Sequence, residues 1–227
     1  MITIDIRGVI VPDDDRGIYD FFGIEATAPV SVRQALQAAN GSEVTVTINS
    51  AGGDVFAGTE IYTILREYTG KVLIQIQSMA ASAAAVIAMA RESEMSPVAQ
   101  LMIHNVSTRA EGDCRDMEHA AEVLRQANQA IAAAFVAKTG KPEAEILELM
   151  NHETWYTAQQ AVADGFVDRI MGATTPAAGQ PLQLAASFGA GLLPASVLAY
   201  ARENMKNSAK AKAEAEYNYM ILEGNIK

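Results

Sequence analysis

The chain has 227 residues, of which 50% are hydrophobic, and its formal net charge is −10 at pH 7. This composition predicts a packed domain with extensions and excludes a wholly disordered chain. The negative charge argues against a nucleic-acid partner, because phosphate binding requires clustered Lys and Arg. The single cysteine, Cys114, excludes an intrachain disulfide and fits a reducing compartment. With no recognisable secretory signal or apolar span, we expect a cytoplasmic protein without a membrane partner.

Strand-like and helix-like segments alternate along most of the chain. Residues 2–10 alternate apolar and polar side chains, as a half-buried strand does, whereas residues 12–15 predict a turn. Strands that alternate with helices favour parallel βαβ units with helices covering the sheet, which is an α/β fold. The predicted strands are residues 2–10, 44–48, 72–77, 101–104 and 166–170, and the predicted shorter helices are residues 32–39, 55–68, 83–90, 142–150 and 157–165.

A long amphipathic helix is predicted over residues 113–138, which contain neither glycine nor proline. Apolar side chains recur there in steps of three and four, and Asn128 occupies one position of this stripe. At 1.5 Å per residue the helix would be about 40 Å long, more than a compact domain needs internally. We therefore expect it to project and meet a partner; packing on its own domain is the alternative.

The composition changes after Gly172, first to Ala, Gly, Pro and Ser and then to a charged, alanine-rich segment. This change divides the chain into a domain of residues 1–172, a linker of residues 173–194 and a mostly helical C-terminal appendix of residues 195–227.

Ser82 is the candidate nucleophile. It lies between the predicted strand at residues 72–77 and the alanine-rich helix at residues 83–90. Its hydroxyl should therefore lie at a helix N-terminus, where unpaired backbone N–H groups favour negative charge. Such a position suits a nucleophilic serine beside an oxyanion site, although an ordinary N-cap serine is commoner.

His104 is the candidate general base, because it ends a predicted strand, where the sites of α/β proteins gather. A histidine at a sheet edge without catalytic function is the alternative. His119 lies on the long helix and is expected to be solvated, whereas His152 is either a helix cap or a rival base. The two glycines within residues 49–54 either let backbone N–H groups approach a ligand or make a tight turn. Their spacing matches neither a dinucleotide fingerprint nor a P-loop.

Four segments together resemble motifs of the Clp protease proteolytic subunit family, ClpP. Residues 47–62, Thr-Ile-Asn-Ser-Ala-Gly-Gly-Asp-Val-Phe-Ala-Gly-Thr-Glu-Ile-Tyr, resemble its Asn-Ser-Pro-Gly-Gly-Ser-Val segment. Residues 78–82, Ser-Met-Ala-Ala-Ser, resemble its nucleophile motif, and residues 101–105 resemble its Met-Ile-His motif. Residues 157–168 resemble its closing element, and order and spacing agree over roughly residues 2–171.

The resemblance implies stacked ββα units, as in ClpP and crotonase-like proteins, with the long helix projecting from them. It implies a catalytic triad of Ser82, His104 and Glu153, in which a glutamate takes the place of the family's aspartate; Asp164 and Asp168 are the alternatives for this third member. No metal or other cofactor is implied. The remaining implied site residues are Gly53 and Ala83 as oxyanion donors, and Gly52, Asp54, Asn105 and Val106 as substrate-binding residues.

The implied function is that of a serine endopeptidase that hydrolyses proteins or peptides through an acyl-enzyme. The implied assembly is a homo-oligomeric ring, with residues 113–138 in contact with a second ring. The short, acidic N-terminal segment lacks an obvious loop for an unfoldase ATPase and gives no support to such a partner. The long extension after Gly172 resembles phage and prophage ClpP-like proteases that mature heads, so capsid or portal proteins are candidate partners.

Two other functions are compatible with the residues. A crotonase-like acyl-CoA enzyme also uses paired backbone N–H groups, but the chain has no clear basic patch for the CoA phosphates. An inactive ring-forming scaffold is the second alternative, and Glu153 at the acid position gives it some support.

Overall fold

The computed structural model describes residues 2–172 and 193–204. The strands are β1 (Ile2–Ile10), β2 (Ala26–Thr27), β3 (Val44–Gly53), β4 (Val72–Ala81), β5 (Glu92–Met95), β6 (Gln100–Ile103), β7 (Thr154–Thr157) and β8 (Arg169–Ile170). The helices are α1 (Asp13–Phe21), α2 (Pro29–Ala39), α3 (Val55–Glu67), α4 (Ala83–Ala88), α5 (Cys114–Thr139), α6 (Glu143–Asn151), α7 (Ala158–Ala163) and α8 (Ala195–Asn204).

Parallel strands form most of the sheet, in the order β2-β1-β3-β4-β5-β8. The last residues of β4 leave β5 and pair with β6, again in parallel, and β6 pairs antiparallel with β7. This architecture confirms the predicted α/β fold. Because the carboxyl ends of parallel strands meet at one edge, the segments that follow β3, β4 and β6 come together there.

The main core lies between the sheet and helices α2, α3 and α4. Every residue of α4 is buried, and all but two of them are alanines. Small side chains let this helix pack closely: a Cβ added to Gly58 of α3 would lie 2.8 Å from the Cβ of Ala83. The residue that precedes α4 is therefore held against the centre of the domain.

Helix α5 confirms the predicted long projecting helix. Its N-terminal turn is closed by a capping box between Asp113 and Asp116, and it ends at Gly140 in the left-handed conformation. Its buried residues all lie near its C-terminus, from Ile131 to Phe135, so its first half stands away from the domain. No helix in the part of the chain that the structure describes combines the length and apolarity needed to cross a membrane.

The predicted turn at residues 12–15 is wrong, because α1 begins at Asp13. Three aspartates occupy its first turn, where the helix dipole favours negative charge. Ile18 and Tyr19 are buried on its inner face. The run of acidic residues after a proline thus starts a helix.

Helix α8 packs on α1 and forms a second, smaller apolar cluster with it. The main-chain N–H of Leu193, just before α8, donates to the buried hydroxyl of Tyr19 at 2.9 Å. This helix lies within the predicted appendix. Residues 173–192 of the predicted linker and residues 205–227 of the appendix lie outside the described residues.

Four strands differ from their predicted bounds, and β6 is shifted by one residue, to Gln100–Ile103. β3 continues to Gly53 and β4 continues to Ala81, beyond the predicted ends at residues 48 and 77. Of the predicted strand at residues 166–170, only residues 169–170 form a strand, β8, because the preceding residues pack as a turn after α7. The glycine segment and the approach to Ser82 are therefore parts of the sheet.

Candidate active site

Ser82 and His104 lie side by side. The Oγ atom of Ser82 is 2.8 Å from the Nε2 atom of His104. The register of β4 and β6 explains this contact, because Ala81 pairs with Met102 and the Ser82 N–H donates to the Met102 carbonyl at 3.0 Å. The sheet thus brings together two predicted residues that are 22 positions apart.

Ser82 occupies a strained turn between β4 and α4. Its φ of 57° and ψ of −125° are sparsely populated for residues with a side chain. Although Ser82 is the N-cap residue of α4, its side chain makes no capping hydrogen bond. The hydroxyl is instead directed to His104, as in the strand-to-helix turn that exposes the nucleophile of many hydrolases. The alternative of an ordinary capping serine does not fit this geometry.

His104 is half-buried beside Ser82. Burial disfavours the charged imidazole and lowers the pKa of His104 below its usual value, while the negative charge of Glu153 acts in the opposite direction. The lowered pKa favours the neutral form of the ring. A neutral imidazole can accept a proton from the hydroxyl to which it is hydrogen-bonded.

Glu153 lies close to His104 but is not bonded to it. Ile103 of β6 pairs with Thr154 of β7, so His104 and Glu153 are the next residues on the two antiparallel strands. Glu153 is exposed, its φ is 47°, and its Oε1 accepts a long hydrogen bond of 3.4 Å from Trp155 Nε1. Among residues 2–172 and 193–204, the His104 ring is hydrogen-bonded to Ser82 alone. The triad role of Glu153 stays a prediction.

The two alternative acids have other partners. Asp164 pairs with Lys141 at 3.2 Å. Asp168 accepts the N–H of Ser93 at 2.7 Å and pairs with Lys138. Burial alone would raise the pKa of Asp168, but Lys138 and the Ser93 N–H hold it below its usual value. In the described residues both carboxylates thus tie elements of the domain together, and neither is hydrogen-bonded to Ser82 or His104.

The rival histidines do not join this pair. His152 is exposed and hydrogen-bonds Glu148 of α6 at 2.8 Å. His119 is exposed on the projecting part of α5.

The predicted oxyanion donors lie on adjoining segments. Ala83 is the first residue of α4, so its N–H has no partner within the helix. The glycine segment packs directly against this turn: a Cβ added to Gly52 would lie 2.6 Å from Ser82 Cβ and 3.0 Å from the Ala83 nitrogen. Gly53 pairs with Ile10 of β1. Two main-chain segments therefore border the space next to the Ser82 hydroxyl.

Asp54 has a structural role in addition to any contact with substrate. It is the N-cap residue of α3, and its carboxylate accepts the N–H of Ala57 at 2.8 Å. Its own N–H donates to the Ile10 carbonyl at 2.8 Å. These bonds hold the end of the glycine segment on β1.

Asn105 and Val106 are held by two asparagines that the sequence did not identify as site residues. Asn105 Nδ2 donates to Asn151 Oδ1 at 2.8 Å, and the Val106 N–H donates to Asn128 Oδ1 at 2.7 Å. Asn105 Oδ1 is buried and has no partner in the described part of the chain. The polar Asn128 in the apolar stripe of α5 was the available signal in the sequence.

The arrangement is suited to acyl transfer. A hydroxyl bonded to an imidazole, beside two main-chain segments with N–H groups, has the geometry in which a nucleophile, a general base and oxyanion donors can act together. Within the described residues, no group of three or more His, Cys, Asp or Glu side chains could hold a metal ion.

Comparison with known proteins agrees with the resemblance found in the sequence. The Clp protease family model matches residues 26–174. The ATP-dependent Clp protease proteolytic subunit of Porphyromonas gingivalis is 28% identical over 134 residues, 58% of this chain and 60% of that protein. Proteolytic subunit 1 of Streptomyces avermitilis is 32% identical over 133 residues, 57% of this chain and 61% of that protein. The chain thus spans less than two thirds of the length of either relative.

Proposed function

Because the chain belongs to the Clp protease family, we propose that it is a serine endopeptidase that hydrolyses peptide bonds through an acyl-enzyme on Ser82. The observation that supports this function most directly is the 2.8 Å hydrogen bond between Ser82 Oγ and His104 Nε2. The family match does not favour either alternative function considered from the sequence.

The proposed reaction begins when Ser82 Oγ attacks the carbonyl carbon of the scissile peptide and His104 takes the hydroxyl proton. The N–H groups of Gly53 and Ala83 stabilise the oxyanion, and each such donor contributes about 3–4 kcal/mol in other hydrolases. His104 then protonates the leaving amine and afterwards activates the water that hydrolyses the ester. Glu153 stabilises the imidazolium through its charge, in keeping with its effect on the pKa of His104.

The substrate is proposed to bind as an extended peptide between the glycine segment and the residues that follow His104. Both segments present main chain next to the Ser82 turn, and main-chain hydrogen bonds to an added strand are sequence-tolerant. Gly52, Asp54, Asn105 and Val106 line this path in the proposal. Such binding suits a protease that accepts varied sequences.

The proposed assembly is a homo-oligomeric ring in the cytoplasm. The first half of α5 supports it, since this half projects without a buried residue and carries exposed Met117 and Val123. Contact with a second ring would cover these side chains. Processing of phage capsid or portal proteins is the specific role that we propose from the long extension after Gly172.

The test is labelling of the full-length chain with a fluorophosphonate probe, together with hydrolysis of a fluorogenic peptide. Ser82→Ala should abolish both and leave the elution volume on size exclusion unchanged. Ser42→Ala, which removes an exposed hydroxyl between α2 and β3, is the matched control and should retain both. Equal labelling of wild type and Ser82→Ala, or failure of wild type to label, would overturn the proposed function.

A further inference from the structure

Asn128 is a polar residue in the apolar stripe of α5. It lies just before the buried end of the helix, which begins at Ile131. Its side chain is half-buried, and Oδ1 accepts the main-chain N–H of Val106 at 2.7 Å. A short, well-placed bond to a main-chain donor explains why this position of the stripe carries an amide.

The segment that carries Val106 has few other supports. Residues 104–110 belong to no helix or strand, and residues 107–113 are exposed. The neighbouring Asn105 is bonded through its side chain to Asn151 of α6. Two successive residues after His104 are therefore held by side chains from two different helices, in place of a strand partner.

We propose that Asn128 is a positioning residue for substrate binding: it holds the main chain at Val106 so that the segment after His104 can receive an extended peptide. This inference rests on the proposed peptidase function. Because the Val106 N–H already donates to Asn128, it supports the segment and does not bind the substrate. Val106 then contributes only its carbonyl and its side chain to the substrate contact.

Asn128→Leu is the informative substitution. Leucine continues the apolar stripe between Leu124 and Ile131, so the helix should form, but the Val106 N–H loses its acceptor. Leaving a partly buried N–H without an acceptor changes an equilibrium constant by about tenfold. We therefore expect kcat/KM for an extended peptide to fall about tenfold, mainly through KM. Asn128→Asp keeps an acceptor oxygen and should remain within about twofold of wild type.

A small acylating probe separates this role from general damage to the site. A fluorophosphonate reacts with Ser82 without occupying the extended path, so Asn128→Leu should label at a rate within about twofold of wild type. Gln34→Leu, an exposed amide on α2, is the matched control for the exchange of an amide for leucine. Thermal unfolding and size exclusion verify that all variants are folded and equally assembled.

Each outcome has one meaning. The inference is supported if Asn128→Leu labels normally, loses peptide hydrolysis through KM and is rescued as Asn128→Asp. It is overturned if peptide kinetics are unchanged, if labelling and hydrolysis fall together, or if the aspartate variant behaves like the leucine variant. Wild type that does not label refutes the proposed function itself, which distinguishes that failure from failure of the role of Asn128.

Discussion

Gly52 offers the most direct test of the geometry around Ser82. Its φ of +98° lies in the region that glycine adopts without strain, and a Cβ there would lie 2.6 Å from Ser82 Cβ and 2.7 Å from the Ala81 carbonyl oxygen. Gly52→Ala therefore introduces a methyl group directly against the proposed nucleophile. The substitution changes no group that takes part in the chemistry.

The expected effect follows from the distances. An ordinary contact begins at 3.4 Å, so Ser82 Cβ or the glycine strand must move by about 0.8 Å, the difference between 3.4 and 2.6 Å. A misplacement of about 1 Å costs about 100-fold in rate, and we expect a loss of that order in kcat/KM. The free energy of unfolding should also fall, by about 1–2 kcal/mol for the left-handed backbone and about 1–3 kcal/mol for overpacking.

Gly140→Ala is the matched control. Gly140 ends α5 with a φ of +71°, and a Cβ added there meets nothing within 4 Å. It should therefore lose only the backbone contribution of about 1–2 kcal/mol and keep wild-type activity while folded. Urea unfolding gives the stabilities, and peptide hydrolysis and fluorophosphonate labelling give the activities. If Gly52→Ala labelled as fast as Gly140→Ala, the Ser82 turn would not be seated against Gly52.

Two further predictions concern the base and the second apolar cluster. Burial lowers the pKa of His104, and the negative charge of Glu153 raises it. Activity should therefore fall as the pH drops through the lowered pKa of His104. Glu153→Gln should move the acidic limb of log kcat/KM to lower pH, and a move to higher pH would contradict this. The same variant should lose about tenfold in rate, less than the loss of about 10⁴ for a buried triad acid, because Glu153 is exposed. Tyr19→Phe leaves the buried Leu193 N–H without its acceptor and should lower the free energy of unfolding by about 1–3 kcal/mol; unchanged urea unfolding would show that this bond adds no stability.

Local signals predicted the elements that local chemistry controls. Asn40 ends α2 in the left-handed conformation, a helix end that Asn and Gly favour. Thr157 and Gln160, which open the predicted helix at residues 157–165, form both hydrogen bonds of a capping box. The absence of glycine and proline until Gly140 predicted α5 within one residue at each end. Each of these features depends on side chains that are a few positions apart.

Features that depend on distant contacts could not be predicted in the same way. Strand β5 contains charged residues and is a strand because it pairs with β4 and β8. The register of β6 on β7 brings Glu153 opposite His104, and nothing in either segment alone specifies that register. Similarly, the role of Asn128 became visible only once the Val106 N–H was located beside it. The motif spacing identified the pair Ser82 and His104 because the resemblance supplied the missing long-range information.

Backbone strain provides an argument for the site that is independent of the family match. Among the described residues, positive φ angles occur at three residues other than glycine: Asn40, Ser82 and Glu153. Asn40 is of a type that tolerates this conformation at the end of a helix. Serine and glutamate are less suited to it, and such positions cost about 1–3 kcal/mol each unless the surrounding structure enforces them. Both lie next to His104: Ser82 directly follows β4, and Glu153 directly precedes β7. Glycine at either position would remove this cost, so the presence of a serine and a glutamate there supports a functional requirement for these side chains.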